Sequence, residues 1–495
     1  MPSESFGKII KITGSKVTIL VQYSVAVKKV SVDNFVPNYV SIGALVGTKL
    51  VDSRILVLTV EEIYESNAEH FICASISGVY DDVLKNFTFG TDSYPLIGER
   101  VFTINSNVLE SILGSQHKHS SAKIGAYVYD TSISVGYNPD VLFGKHLGVF
   151  GNTGSGKTCT VVSIIQNYVR ENPEKEIKFV ILDVNGEYKT AFKDNEAEYL
   201  TFKQLRFHHS VLSISEYGRL FRAAEGVQFP ALKDSIKKLK TIAKWNLREL
   251  PTQIDEWIKD EATEDKNGKK EAFSKNQISG YLRTMVLRIE SILENNELME
   301  IMNNPNDSST IDTIMETDKK VVIIDLPVSG DSLDIVLYLL FKAIYQYKVE
   351  GKGTENNHDS GHLNLVLEEA HRYINADLNE TKLGNYYIDK LSREGRKFGI
   401  GLIISSQVPS MLSQEIVSQC NSVIMHKITN RRDMEFMRGM LRISNDAFYL
   451  QMSALEKQYA VVCGEAFPMD TIVKINDAYP LPMSSDPKIR DVFGC

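Results

Sequence analysis

The strongest constraint on this chain is eight residues long. Gly151-Asn-Thr-Gly-Ser-Gly-Lys-Thr158 follows the apolar run LGVF directly and leads into TCTVVSIIQNYV, a helix-forming stretch. G-x-x-x-x-G-K-[ST] between a strand and a helix is the pattern of a phosphate-binding loop. Its glycines let the backbone wrap closely enough for successive N–H groups and a helix N-terminus to face an anion. Asn152, Thr153, Gly154, Ser155, Gly156, Lys157, Thr158 and Cys159 are therefore the expected nucleotide-binding residues. Lys157 is expected to reach the β and γ phosphates and Thr158 to offer its hydroxyl to Mg2+. Cys159 reads as a small residue tolerated beside the nucleotide.

A phosphate loop in this setting calls for an α/β sheet, and the sequence supplies one. Short apolar strands are expected at 147–150, 178–182, 321–325, 363–367, 400–405, 422–426, 459–463 and 471–475, alternating with helical stretches as in a parallel sheet. Ahead of this, residues 6 to about 103 alternate with period two between frequent glycines and prolines, so 1–123 reads as a small all-β barrel or sandwich. A Gly-rich transition over 124–139 follows. The α/β core is assigned to 124–210 and 311–477, with a charged helical insertion at 211–310 and a tail at 478–495. Within the insertion, Ile278, Tyr281, Leu282, Met285, Val286, Ile289, Ile292 and Leu293 recur at helical spacing and predict an amphipathic helix. Residues 259–270, KDEATEDKNGKK, read as a solvated loop.

Composition excludes several classes. With 495 residues, 55 Lys plus Arg against 63 Asp plus Glu and a net charge of −8, any nucleic-acid contact must be focal. No apolar run reaches the ~18 residues of a membrane span, and the N-terminus lacks a secretory pattern. The five cysteines form no C-x-x-C pair, which fits reduced thiols and a cytoplasmic location.

The second chemical feature is LNLVLEEAH, 363–371, a strand ending in two carboxylates. Side chains alternate along a strand, so Glu368 and Glu369 face opposite ways and cannot share a role. Glu368 is assigned to the Mg2+ shell through water, Glu369 to the general base that polarises the attacking water. His371 and Arg372 read as structural.

Four segments, KHLGVFGNTGSGKT (145–158), ILDVNGEY (181–188), LVLEEAH (365–371) and the long run 391–433 that begins LSREGRKFGIGLIISSQ, resemble the HerA branch of the FtsK/HerA ATPases. The resemblance implies a RecA-like P-loop core behind an N-terminal barrel. It also implies ATP and Mg2+ as cofactors, a homo-oligomeric ring of six subunits, and double-stranded DNA in the central pore. Carried onto this chain, Arg393 and Arg396 are candidates for an arginine that reaches a neighbour's γ-phosphate, with either one open. Gln407 fits the polar sensor that reads the γ-phosphate or orients water. Asp183 and Glu187 are retained where Val184 and Asn185 replace the family's usual Pro-His, so both are candidates for the polar network near the nucleotide. At position 368 Glu stands where Asp is usual, one methylene longer.

The function so implied is a hexameric ATP-hydrolysing DNA translocase or helicase. It would work with a nuclease or sirtuin-like effector docked at the barrel, in DNA processing or antiviral defence. Lys189 and Lys193 are candidate pore-loop contacts. The alternative is an ATP-regulated ring scaffold that docks and activates such an effector with little translocation. A coupling ATPase of conjugation or secretion shares the core but normally brings a membrane anchor.

Overall fold

β-Branched residues at every second position build the N-terminal unit of this computed structural model, which describes residues 5–22, 40–114, 122–174, 176–193, 195–242, 245–263, 275–303, 310–349, 361–372, 374, 383–440 and 446–483. Strands β1 (Ser5–Thr13), β2 (Lys16–Val21), β3 (Leu45–Lys49), β4 (Ile55–Ser66), β5 (Glu69–Asp81), β6 (Asn86–Phe89) and β7 (Arg100–Thr103) form one antiparallel sheet in the order β2-β1-β7-β3-β4-β5-β6. Pairing of β2 with β5 closes six of them into a barrel and leaves β6 as an outer flap on β5. Val17, Ile19, Leu56, Leu58, Val60, Ile72 and Ala74 fill the interior. Register shifts in β1 and β4 give the bends that closure requires.

The second sheet has eleven strands in the order β12-β13-β11-β14-β15-β10-β16-β17-β18-β8-β9. Its members are β8 (Lys123–Tyr127), β9 (Asp130–Gly136), β10 (His146–Phe150), β11 (Ile177–Asp183), β12 (Ala197–Thr201), β13 (Val321–Asp325), β14 (His362–Leu367), β15 (Ile400–Ser406), β16 (Cys420–Met425), β17 (Tyr459–Gly464) and β18 (Thr471–Ile475). Pairing is parallel from β12 through β16 and antiparallel from β16 to β9. This is a RecA-like P-loop core. All eight expected strands are present, but the sheet is mixed rather than wholly parallel. The Gly-rich transition is in fact the hairpin β8–β9, which extends the sheet beyond β18.

The insertion between β12 and β13 is helical. Helix Lys275–Glu294 buries Ile278, Leu282, Met285, Ile289 and Leu293, as its periodicity predicts, whereas Tyr281 is 54% exposed. Helix Leu250–Thr263 runs through 259–263, so the expected loop there is helix; 264–270 lie outside the described residues. The barrel does not stand apart. Leu45, Val57, Tyr80 and Phe87 share a core with Tyr127, Ile133 and Leu147 of the α/β sheet, and the Leu45 amide donates to Tyr127 Oη at 3.2 Å. Among the described residues no helix is long and apolar enough to cross a membrane.

Candidate active site

Five adjacent parallel strands, β11, β14, β15, β10 and β16, end on one edge of the sheet. There the chain leaves each strand with a polar residue: Asp183 at the end of β11, Glu368 and Glu369 after β14, Gln407 after β15, the phosphate loop after β10 and His426 after β16. Open parallel sheets offer ligand sites at this edge.

The loop conformation explains its glycines. Gly156 has φ +115°, and Gly151 a Cβ position only 2.6 Å from His426 Cβ. Ser155 Oγ donates to Asn152 O at 2.7 Å, and the loop is held from outside by Asn152 N to Lys427 O (2.8 Å), Asn152 Nδ2 to Thr429 Oγ1 (2.8 Å) and Gln458 N to Ser155 O (3.0 Å). Helix Lys157–Glu171 starts at the loop's lysine. Lys157 is buried, and its ammonium is parked on Asn152 O at 3.2 Å. Burial lowers its pKa, opposed by the charges of Glu369, Glu368 and Glu187.

The two strand-end carboxylates are buried and differ as alternation requires. Glu368 accepts from Tyr188 Oη at 2.7 Å and Ser405 Oγ at 3.3 Å. Burial pushes it up to about 7, against the Tyr188 bond and Lys157, with Glu369 adding to the rise. Glu369 has a left-handed backbone, φ +47°. One carboxylate oxygen accepts from Gln407 Nε2, while Oε2 has no hydrogen bond and lies 3.2 Å from His371 Nδ1. Such strain in a non-glycine residue costs ~1–3 kcal/mol and clusters at functional sites. Gln407 also accepts from Thr153 Oγ1 at 2.6 Å, so it bridges the acid and the loop. His371 sits beside the base and shares Nδ1 with Ser406 Oγ at 3.2 Å; burial lowers its pKa, with Glu369 opposing.

The turn after β11 reaches the same place. Asp183 accepts the amides of Asn185, Glu187 and Tyr188 at 3.3, 3.0 and 2.9 Å, a turn-locking role. Burial raises its pKa against those bonds. Glu187 Oε2 accepts from Thr158 Oγ1 at 2.7 Å. Thr158, Glu187 and Glu368 thus offer hard oxygen donors, the set that suits Mg2+. Among the described residues no group of three or more His, Cys, Asp or Glu side chains could hold a metal unaided, so phosphate oxygens would have to complete the shell.

Arg393 and Arg396 are not in this cluster. They precede β15 at the other edge of the sheet, where Arg393 pairs with Asp389 and Glu415 at 2.9 Å and Arg396 donates to Asn421 at 3.4 Å. The length of β15, about 20 Å, separates that edge from the one that carries the loop.

Residues 122–344 match the model of the helicase HerA central domain. The DNA double-strand break repair helicase HerA of Saccharolobus solfataricus is 26% identical over 356 residues, 70% of this chain and 67% of that protein. The protein of the same name from Sulfolobus acidocaldarius is 24% identical over 412 residues, 81% of this chain and 77% of that protein. The chain is similar to the HerA-like P-loop ATPases. A solved structure of the bacterial conjugative coupling protein TrwB aligns with a TM-score of 0.52 at 14% identity, covering 78% of this chain and 95% of that one, a likeness of fold.

In this P-loop ATPase the site holds more than the sequence motifs name. His426 is fully buried, its Nδ1 3.1 Å from Tyr459 O and Nε2 2.8 Å from Thr160 Oγ1. A carbonyl only accepts, so Nδ1 carries the proton and Nε2 accepts from the threonine. Burial lowers its pKa to about 3, which keeps it neutral, with Lys157 acting in the same direction. It pins the loop helix to β16. No spacing rule identifies His426, Thr429 or Gln458; they reach the loop only because β16 and β17 are its neighbours.

Proposed function

We propose that this ATPase works as a ring, a hexamer in its simplest form, that hydrolyses ATP between subunits and moves along double-stranded DNA. The observation that carries it is the division of polar groups between the two sheet edges. The loop, Glu369 and Gln407 converge on one, while Arg393 and Arg396 lie on the other, where only a neighbouring subunit's loop could meet them. A planar guanidinium supplied in trans spreads transition-state charge and is worth ~10³–10⁵ in rate.

Within a subunit, the loop amides and Lys157 hold the β and γ phosphates once the ammonium leaves Asn152 O. Glu369 Oε2 takes the proton of the attacking water, and Gln407, bonded to both Glu369 and Thr153, orients that water against the γ-phosphate. Mg2+, when bound, would neutralise phosphate charge, with the Thr158 hydroxyl as one of its ligands. Lys189 and Lys193, exposed after β11, are proposed to touch DNA phosphates, so binding should weaken steeply with salt. Helicase relatives support the DNA partner.

The barrel is the proposed dock for a nuclease or sirtuin-like effector, in DNA processing or antiviral defence. It exposes Val51 (81%), Val83 (91%), Leu84 (73%), Leu96 (61%) and Ile97 (70%), side chains that gain by being covered. Subunit mixing tests the ring. Arg393→Ala or Arg396→Ala subunits mixed with Lys157→Ala subunits should regain DNA-stimulated ATPase activity above either parent. No gain at any ratio, with mixed rings shown by native mass spectrometry, would overturn the division of the site.

A further inference from the structure

We propose that Glu187 coordinates Mg2+ directly beside Thr158, while Glu368 acts through Tyr188 as a positioning residue; this rests on the nucleotide-site reading above. The strand-end acid would be the obvious ligand, but its geometry opposes that. Glu368 is 1% exposed and already accepts from Tyr188 Oη and Ser405 Oγ. Both of its oxygens are thus already engaged by buried hydroxyls, and turning one away to meet a cation at Thr158 would weaken a bond whose loss costs ~1–3 kcal/mol.

Glu187 needs no such rearrangement. Its Oε2 stands 2.7 Å from Thr158 Oγ1, the hydroxyl assigned to the metal. Mg2+ binds oxygens at 2.0–2.1 Å in a near-ideal octahedron, which places adjacent ligand oxygens about 2.9 Å apart. The Thr158–Glu187 pair is therefore already spaced as two neighbouring corners, and the threonine hydroxyl has only to turn its proton away from Glu187 to present a lone pair. The acid is also held in place. Asp183 fixes its amide at 3.0 Å, the Met483 amide donates to its carbonyl at 2.8 Å, and Tyr188 ties the next residue to Glu368. One longer acid at 368 and one turn acid at 187 would divide what a single strand-end Asp could do.

The test measures metal binding by the full chain without turnover. Free Mn2+ is followed by electron paramagnetic resonance during titration in saturating ADP, for wild type, Glu187→Gln, Glu187→Asp and Glu368→Gln; ADP affinity is measured separately in EDTA. Glu187→Gln keeps an oxygen to accept from Thr158, so folding and metal-free ADP affinity should match wild type. Its ADP-dependent Mn2+ affinity should fall at least about tenfold, Glu187→Asp should fall between, and Glu368→Gln should stay within about threefold. Unchanged Mn2+ affinity in Glu187→Gln, or a larger loss in Glu368→Gln, overturns the assignment. Failure of wild type to bind ADP in EDTA would instead overturn the nucleotide-site reading on which it rests.

Discussion

Among the described residues, two buried clusters join acid and lysine, and they differ in how completely their polar groups are satisfied. In the insertion, Glu216 is the third residue of a helix whose capping box it closes with Ser213. Its oxygens accept from Tyr338 Oη at 2.6 Å, Tyr387 Oη at 2.9 Å, the Ser213 amide at 2.5 Å and the Lys342 ammonium. Both acid and lysine are buried, and helices Ile214–Leu220, Gly330–Lys348 and Leu383–Glu394 are thereby clamped together. At the strand ends, Glu369 keeps a left-handed backbone and an oxygen without a hydrogen bond, Glu368 is lifted towards neutrality, and Lys157 rests on a carbonyl of its own loop. A buried network with every group satisfied rigidifies; one left strained and incomplete is waiting for a ligand.

The largest effects should separate the clusters by observable. Lys157→Ala should lower ATP turnover at least about 100-fold through lost phosphate contact, with thermal stability of the ligand-free protein unchanged. Steady-state ATPase assays and calorimetry check both halves. Lys342→Met should do the reverse. Removing one partner of a buried pair costs about 3–5 kcal/mol, read by urea unfolding, while turnover per folded chain in dilute denaturant-free buffer stays within a few-fold.

A smaller contrast lies in pH dependence. Burial pushes Glu216 up, but the bonds from Lys342, Tyr338 and Ser213 outweigh it and hold the carboxyl well below its ordinary 4.5. A depressed pKa stabilises above the unfolded value, so this contribution is lost as pH falls below about 4.5. Glu368 runs the other way. Raised from 4.5 to about 7, its contribution is fully present below 4.5 and lost as pH rises through 7. In EDTA, the stability advantage of Glu368→Gln over wild type should grow by on the order of 1–3 kcal/mol between pH 5 and 8. A flat difference would remove Glu368 from the incomplete cluster. The smallest effect is expected for Arg393→Ala, whose exposed pairs with Asp389 and Glu415 should leave the melting temperature where it is.

What the sequence reveals follows the same division. The loop is legible because glycine, lysine and threonine at fixed spacing have one common use, and β13 and β18 are legible to the residue because VVIID and TIVKI are dense apolar runs. β12 (AEYLT) is a short edge strand with a charge, and β9 (DTSISVG) exposes its polar half, so neither carries that density. Tyr281 keeps helical spacing yet faces solvent, because periodicity defines a stripe wider than the face the core covers. Glu216 and Lys342 lie 126 positions apart. Glu187 lies 29 residues beyond Thr158, and its meeting with that hydroxyl depends on only two strands separating β11 from β10 in the sheet.

The decisive measurement is single-turnover hydrolysis by Glu369→Gln beside its ATP affinity. The strained, half-bonded acid is assigned as the base, and the amide keeps its shape while losing its proton affinity. ATP affinity should stay within about threefold of wild type while the hydrolysis step slows ~10²–10⁴-fold. Hydrolysis within a few-fold of wild type would show that the incomplete cluster does not supply the base.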